Sequence, residues 1–385
     1  MRKILLLLFV TILPGVSSIA QAQDKLLSIL KQELHADMQE LQKQQVKPYY
    51  MSLRVEDIYK TNVQCDFGDV SNSSDGRYRI VIPQIRLGDK QLDNFKFNTQ
   101  GNMNNRGKGV QPTYLPVDDN AEEGIRAAIW KETLARYQFA YNTYLQTKTK
   151  ASTTVADEDK ASCFSDAPVE KYYEAPLDNR HYQIDRQKWE KRLSAVSAVF
   201  KKMPELNMAS VILEYEANRV YFVNTDGTEV VQNRVAARVM IQAEVIAADG
   251  MQLPLMKDYF VYDIDSLPSE DQMISDARDM ITRLKALRDA PVANPYTGPA
   301  ILSGPASGVF FHEIFGHRLE GHRLKSGGET FKKMVGKKIL PKEFNVYSDP
   351  TLRRYAGTDL NGFYLYDSEG VKARRVDNVV NGELK

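Results

Sequence analysis

The sequence predicts an α+β fold, with an N-terminal helix-and-sheet domain followed by a β-rich domain. Embedded in the second domain is a helix carrying the HExxxH run His312-Glu313-Ile314-Phe315-Gly316-His317. Three observations predict this. Apolar residues recur at helical spacing soon after residue 22, apolar and polar residues alternate through most of 210–262, and polar stretches rich in Gly, Asn or Pro separate the periodic segments. The 385 residues exceed the usual size of one domain, and 43% of them are hydrophobic, ample for a core. The expected division is a leader at 1–22, an N-terminal domain at 23–205 with a polar loop at 147–168, and a β-rich domain at 206–385, incomplete at its C-terminus.

The first 22 residues read as a secretory signal peptide. Arg2 and Lys3 supply the positive start, Ile4 to Leu13 the apolar stretch, and Ala20-Gln21-Ala22 a small-x-small cleavage site. The apolar run is too short to span a bilayer as a stable helix. The expectation is an exported protein, periplasmic or secreted, beginning at Gln23, with no membrane span after cleavage.

The elements follow in order. Leu26, Leu27, Leu30, Leu34, Met38 and Leu41 recur every three or four residues, predicting a helix over 25–45 that Pro48 closes. Tyr50–Val55 and Arg77–Ile82 read as strands around a turn in the Ser-, Asn-, Asp- and Gly-rich stretch between them. Residues 99–120 read as a loop. A long helix follows over 121–150, with Ile125, Ile129, Leu134, Phe139 and Leu145 inward. Trp189, Leu193, Val196 and Phe200 mark another helix over 186–203. Alternation at Val211, Leu213 and Tyr215, and again at Val235, Ala237 and Val239, predicts a hairpin about Asn224-Thr225-Asp226-Gly227. A strand at 259–262, a helix over 271–287 and a short strand at Ala300-Ile301-Leu302 lead to the motif helix, expected to start near Ser307.

Charge narrows the function classes. Lys and Arg number 51 against 50 Asp and Glu, and removing the leader takes two basic residues and no acid. A near-neutral chain without a basic stripe excludes nucleic acid as the expected partner. Cys65 and Cys163 are far apart in sequence, and sequence alone leaves open whether they pair.

The densest chemistry lies at 312–322, which holds three of the chain's five histidines. Imidazole is a common metal ligand, and a Glu between two histidines matches the logic of zinc hydrolases, where the carboxylate activates a metal-bound water. The familiar zincin pair sits at i and i+4. His312 and His317 sit at i and i+5, about 140° apart on a regular α-helix. They converge only if the helix widens locally, as in a π-bulge, or ends between them. Gly316 is the residue at which close approach or a distorted turn is expected. The alternative is a buried amphipathic helix with satisfied histidines.

From Ala300 to Lys385 the chain resembles the TldD/PmbA family of metalloproteases. Gly308 to Gly321 carries the family's HExxxH followed by Leu319-Glu320-Gly321. Asp349-Pro350-Thr351-Leu352 follows, then Asp367 to Arg375, similar to D-x-E-G-x-x-A-[RK]-[RK], then Asn381-Gly382-Glu383-Leu384-Lys385. Weaker similarity extends upstream through 219–238 to the segment near Tyr50. The resemblance implies the catalytic type, which keeps the His-Glu-His motif. It implies Zn²⁺ held by His312 and His317, Glu313 as general base, and peptide substrates. It also implies dimers, either of identical chains or with a family partner. The third metal ligand is then a Cys well downstream, but both cysteines here precede His312, so that ligand is unknown within the chain and expected beyond Lys385, unless Glu320 or His322 is recruited. Glu320, three residues after His317, is expected either to support that imidazole as an outer carboxylate or to cap a turn. Two functions follow: a zinc-dependent peptidase for unfolded or short peptides, or a non-catalytic binding or regulatory subunit of a TldD/PmbA-like complex.

Overall fold

The computed structural model describes residues 24–96, 113–153, 162–321 and 331–385. The leader reading, the cleavage site, His322, and parts of the loops at 99–120 and 147–168 lie outside the described residues.

One large sheet organises the chain. Strands β1 (Pro48–Asp66), β2 (Asp69–Leu87), β5 (Leu206–Asn224) and β6 (Glu229–Ile246) are long. Two short strands, β3 (Thr113–Leu115) and β4 (Lys171–Tyr173), join them, and β7 (Gln252–Val261) completes the set. The order is β3-β2-β1-β5-β6-β4, with β7 also on β6. Two hairpins, β1–β2 and β5–β6, lie side by side because β1 pairs antiparallel with β5 from Ser52↔Asn224 to Asp66↔Ser210. The expected division at 205/206 therefore falls inside one continuous sheet and does not separate two sheets. Long-range strand pairing is invisible to local periodicity.

Side chains alternate across a sheet, and here the odd-numbered residues of the central strands face the helices. Helices α1 (Lys25–Leu41) and α2 (Glu122–Thr153) cover one end, packing on Met51, Leu53, Val55, Val81, Ile85 and Tyr221. Helices α3 (Arg186–Ser197) and α4 (Glu270–Asp289) cover the other, on Val63, Val211, Leu213, Val239 and Ile241. Asp24 caps α1 by accepting from Leu27 N at 3.0 Å, and Ser269 caps α4 by accepting from Gln272 N at 3.2 Å. Trp189, Leu193, Val196 and Phe200 are buried as their spacing predicts, each burial contributing roughly 1.5–3 kcal/mol. The opposite face holds a smaller cluster in which Phe222 and Val230 pack on Tyr366. Gly370 explains part of that docking. It has φ +75°, and a Cβ there would lie 2.5 Å from the Phe222 ring, so the Glu369-Gly370 turn sits flush on the sheet only as glycine.

Four local expectations are corrected. The β1–β2 turn is not in the polar run 71–76, which forms the exposed start of β2. It is Phe67-Gly68, with φ +47° and +88°, the paired positive values of a tight hairpin turn. Leu134 and Leu145 of α2 are 42% and 43% exposed; the inward stripe is Ile125, Ile129, Thr133, Tyr137 and Ala140, so the 3.6-residue period prevails over apolarity. Ala300-Ile301-Leu302 forms no strand, and Ile301 is fully exposed with no strand beside it among the described residues. The motif helix α5 spans Gly304–Ile314, starting earlier than Ser307 because Pro305 suits a first helical turn.

A buried carboxylate in α1 yields a pH prediction. Asp37 is buried, and its Oδ2 has no hydrogen-bond partner among the described residues. Burial pushes its carboxyl up from 3.8 to about 6, opposed by neighbouring Thr133 and reinforced by the charge of Glu33. The folded state thus holds this proton more tightly than the unfolded chain. Its contribution is favourable at low pH and is lost as pH rises from 3.8 through about 6. Asp37→Asn should be more stable than wild type at pH 7 by about 1–3 kcal/mol, and the advantage should vanish near pH 4. Denaturant titrations at both pH values check this; an Asn variant less stable at pH 7 contradicts it.

Candidate metal centre

The site is built at a helix end. Helix α5 stops at Ile314. Phe315 leaves helical geometry at φ −124°, ψ −51°, although its N–H still bonds Phe311 O at 3.0 Å. A 3-10 turn, Gly316–Leu319, follows. The anchor at this break is Phe315, 6% exposed, buried with Val379 and Leu384 against a small sheet of β8 (Val346–Ser348), β9 (Val376–Val380) and β10 (Glu383–Leu384). The blocks near 346–348 and 376–385 thus hold the end of the motif helix in place.

The break solves the i,i+5 problem. The helix ends between the two histidines, so the 140° divergence of a regular helix does not apply. The rings of His312 and His317 approach to 4.5 Å between centroids at 70°. Glu313 Oε1 lies 3.9 Å from His312 Nε2, and its Oε2 lies 3.6 Å from His317 Nε2. One ligand atom from each of the three side chains falls within 4.8 Å of the others. Gly316 is not at positive φ, and a Cβ there would meet Phe311 O at 3.9 Å and His312 Nδ1 at 4.0 Å. Those are ordinary contact distances, so the close approach expected at this residue is not what makes the turn.

Glu320 lies on the far side of His317, its Oε1 2.5 Å from Nδ1. A carboxylate there accepts from Nδ1–H and leaves Nε2 with its lone pair toward Glu313. The cluster faces solvent: His312 and Glu313 side chains are about three-fifths exposed and His317 about one-third. The helix is not the buried amphipathic one that was the alternative. Val309 and Phe310 are 63% and 53% exposed. Cys65 is buried under α3, and Cys163 sits beside Gln91 O. Neither belongs to the cluster, and among the described residues no further His, Cys or acid joins it. His322 lies outside the described residues.

The donor set suits a divalent metal ion. Two imidazoles converge, one has its tautomer set from behind, and a carboxylate stands between them. Sequence reading missed Phe315 as the anchor. Its only signal was an aromatic residue at the centre of a run that is otherwise exposed.

Fold and site define a class: an α+β protein with a His-Glu-His cluster at a helix end that could hold a metal ion. Residues 295–385 match the PmbA/TldA metallopeptidase C-terminal domain. The chain is 32% identical over 85 residues to a metalloprotease of Archaeoglobus fulgidus, covering 22% of this chain and 19% of that protein. It is 29% identical over 167 residues to a metalloprotease of Methanothermobacter thermautotrophicus, covering 42% and 34%. These matches span about a fifth and a third of those relatives' lengths. The fold is similar to TldE from Thermococcus kodakarensis, with a TM-score of 0.56 at 13% identity over 93% of this chain and 69% of that one. It is also similar to a Thermotoga maritima protein solved as a candidate modulator of a DNA gyrase, with a TM-score of 0.55 at 13% identity over 92% and 69%. Residues 295–385 are thus similar to the TldD/PmbA metallopeptidases, and the fold of the chain is similar to that of their solved relatives. No helix among the described residues is long and apolar enough to cross a membrane.

Proposed function

We propose that this chain is a zinc-dependent peptidase that hydrolyses peptide bonds of unfolded or short peptides. The observation that carries the reading is the convergence of His312, Glu313 and His317 within 4.8 Å at the break after α5. His312 and His317 would hold the metal through their ring nitrogens. Zinc bound there would supply a Lewis acid and lower the pKa of the attacking water toward about 7. Glu313, with both carboxylate oxygens turned toward the imidazoles, accepts the proton of the attacking water and returns it to the leaving amine. Glu320 keeps His317 in the tautomer that presents Nε2.

The open surface of α5 favours a working form in which another surface covers it, since contiguous exposed apolar residues mark interaction sites. A homodimer, or a heterodimer with a family partner, supplies such cover. The rival reading, a non-catalytic binding or regulatory subunit, is separated from this one by metal content and turnover.

Zinc content is the direct test. The purified protein should carry about one zinc per chain, and His312→Ala and His317→Ala should each lose it. Glu320→Gln should weaken zinc binding by roughly 10–100-fold without removing a ligand. Elemental analysis after dialysis reads all four proteins. Undiminished zinc in both histidine variants ends this assignment.

A further inference from the structure

Strand β6 shares one edge between two neighbours. β4 pairs parallel with Glu229–Val231, and β7 pairs antiparallel from Ala237 onward. Between them, residues 232–236 have no strand on that side among the described residues. A cavity of about 890 Å³ opens there, the size of a typical ligand pocket. No residue of α5 or of the His-Glu-His cluster lines it.

The main chain presents a template. Glu229 N donates to Glu170 O at 2.8 Å, and Val231 O accepts from Glu174 N at 2.9 Å, so odd-numbered residues of β6 direct their polar groups to this edge. Asn233 N is taken by the Glu174 carboxylate at 2.6 Å. Val235 is next in phase and lines the cavity with no strand beside it. An uncovered edge of this kind accepts an extended segment through main-chain hydrogen bonds. Glu174 and Ala175 occupy the edge as far as Asn233, so the open stretch runs from Asn233 to Ala237, about 13 Å of strand, room for about three paired residues. Trp189, Tyr215 and Phe363 also line the cavity.

The charges in the wall are unevenly matched. Asp185 caps α3, Asp263 accepts from Asp265 N, and Asp367 accepts from Glu369 N and Val371 N. These carboxylates are occupied by the chain's own main chain. Arg353 instead lies over the rings of Tyr262 and Phe363, at 4.8 and 5.9 Å. Arg234 reaches only the Asn361 side-chain oxygen, at 2.6 Å. Among the described residues neither guanidinium is paired with a carboxylate. Arg353 lies over Tyr262, and Asn361, which Arg234 reaches, follows Leu360, whose carbonyl accepts from the Tyr262 hydroxyl at 2.5 Å, so both guanidiniums lie at that end of the gap.

We propose that this gap is a second peptide site, which takes the C-terminal end of an extended peptide as a strand beside β6, its terminal carboxylate held by Arg234 and Arg353. The peptide runs parallel to β6, in line with β4, because both guanidiniums lie at the Tyr262 end. Main-chain pairing makes recognition tolerant of sequence, and the carboxylate makes it specific for a free end. This site stands independently of the metal centre.

Fluorescence anisotropy with a fluorescein-labelled pentapeptide of sequence VTVTF tests it. The free acid should bind about tenfold more tightly than the C-terminal amide, and R234Q and R353Q should each shrink that difference. Backbone N-methylation at alternate residues of the peptide should abolish binding in one phase and spare it in the other. H312A should bind the peptide as wild type does, so a failed zinc assignment leaves this site standing. Equal affinity for acid and amide, insensitivity to N-methylation in both phases, or no binding to wild type overturns the proposal.

Discussion

Glu313→Gln is expected to lower peptide turnover by roughly 10²–10⁴-fold while the zinc and the fold remain. Gln has nearly the shape of Glu but cannot take up a proton from water. Glu313 is about three-fifths exposed at the end of α5, so an amide of the same shape fits there without repacking. The loss should therefore sit in kcat more than in KM, the signature of an interaction made in the transition state. The oxygen-to-nitrogen distances of 3.6 and 3.9 Å to His317 and His312 put this carboxylate beside the metal-binding atoms. Glu320, by contrast, is committed to His317 Nδ1. Steady-state peptide cleavage by metal-loaded protein measures the effect. Near wild-type turnover in E313Q would move the base to Glu320, and turnover absent from wild type and variant alike would favour the binding-subunit reading.

The second large effect is on stability. Arg219→Ala should destabilise the chain by about 3–5 kcal/mol, the usual cost of breaking a buried, hydrogen-bonded ion pair from one side. Arg219 and Asp24 are 5% and 6% exposed and meet at 3.2 Å. The same guanidinium donates to Tyr221 Oη at 2.9 Å, Asn233 Oδ1 at 2.9 Å, Glu174 O at 2.9 Å and Ala175 O at 3.0 Å. Removing it leaves a buried carboxylate and several acceptors unsatisfied. The variant should also loosen the segment after β4, which lines the β6 gap, and so weaken peptide binding there. Urea denaturation monitored by tryptophan fluorescence gives the number; a shift below 1 kcal/mol would mean that water replaces the guanidinium without loss.

Neither Arg219 nor Asp24 stands out in the sequence. They are 195 residues apart, and each looks like an ordinary surface charge until β1 and β5 pair and bring α1 over the end of β5. The same long-range pairing hid the continuity of the sheet across residue 205. Local signals read best where one residue class decides the outcome. The Asn224–Gly227 hairpin forms as its sequence predicts, with Gly227 at φ +100°. The Phe67-Gly68 turn was missed because an aromatic residue occupies a positive-φ position that usually belongs to Asn or Gly.

The site divides in the same way. His312, Glu313 and His317 are legible as a cluster from their density, and the family resemblance rests on ordered blocks that need no coordinates. The α+β class follows from two periodicities, 3.6 and 2, which are local properties of the chain. Only the tertiary structure decides how an i,i+5 pair converges. The helix stops at Ile314 because Phe315 is drawn into the cluster with Val379 and Leu384, more than sixty positions downstream. Only the fold, likewise, leaves 232–236 of β6 without a paired strand on one side, among the described residues, between β4 and β7 from different parts of the chain. Backbone periodicity is written residue by residue, whereas burial, convergence and open edges depend on which distant segments meet.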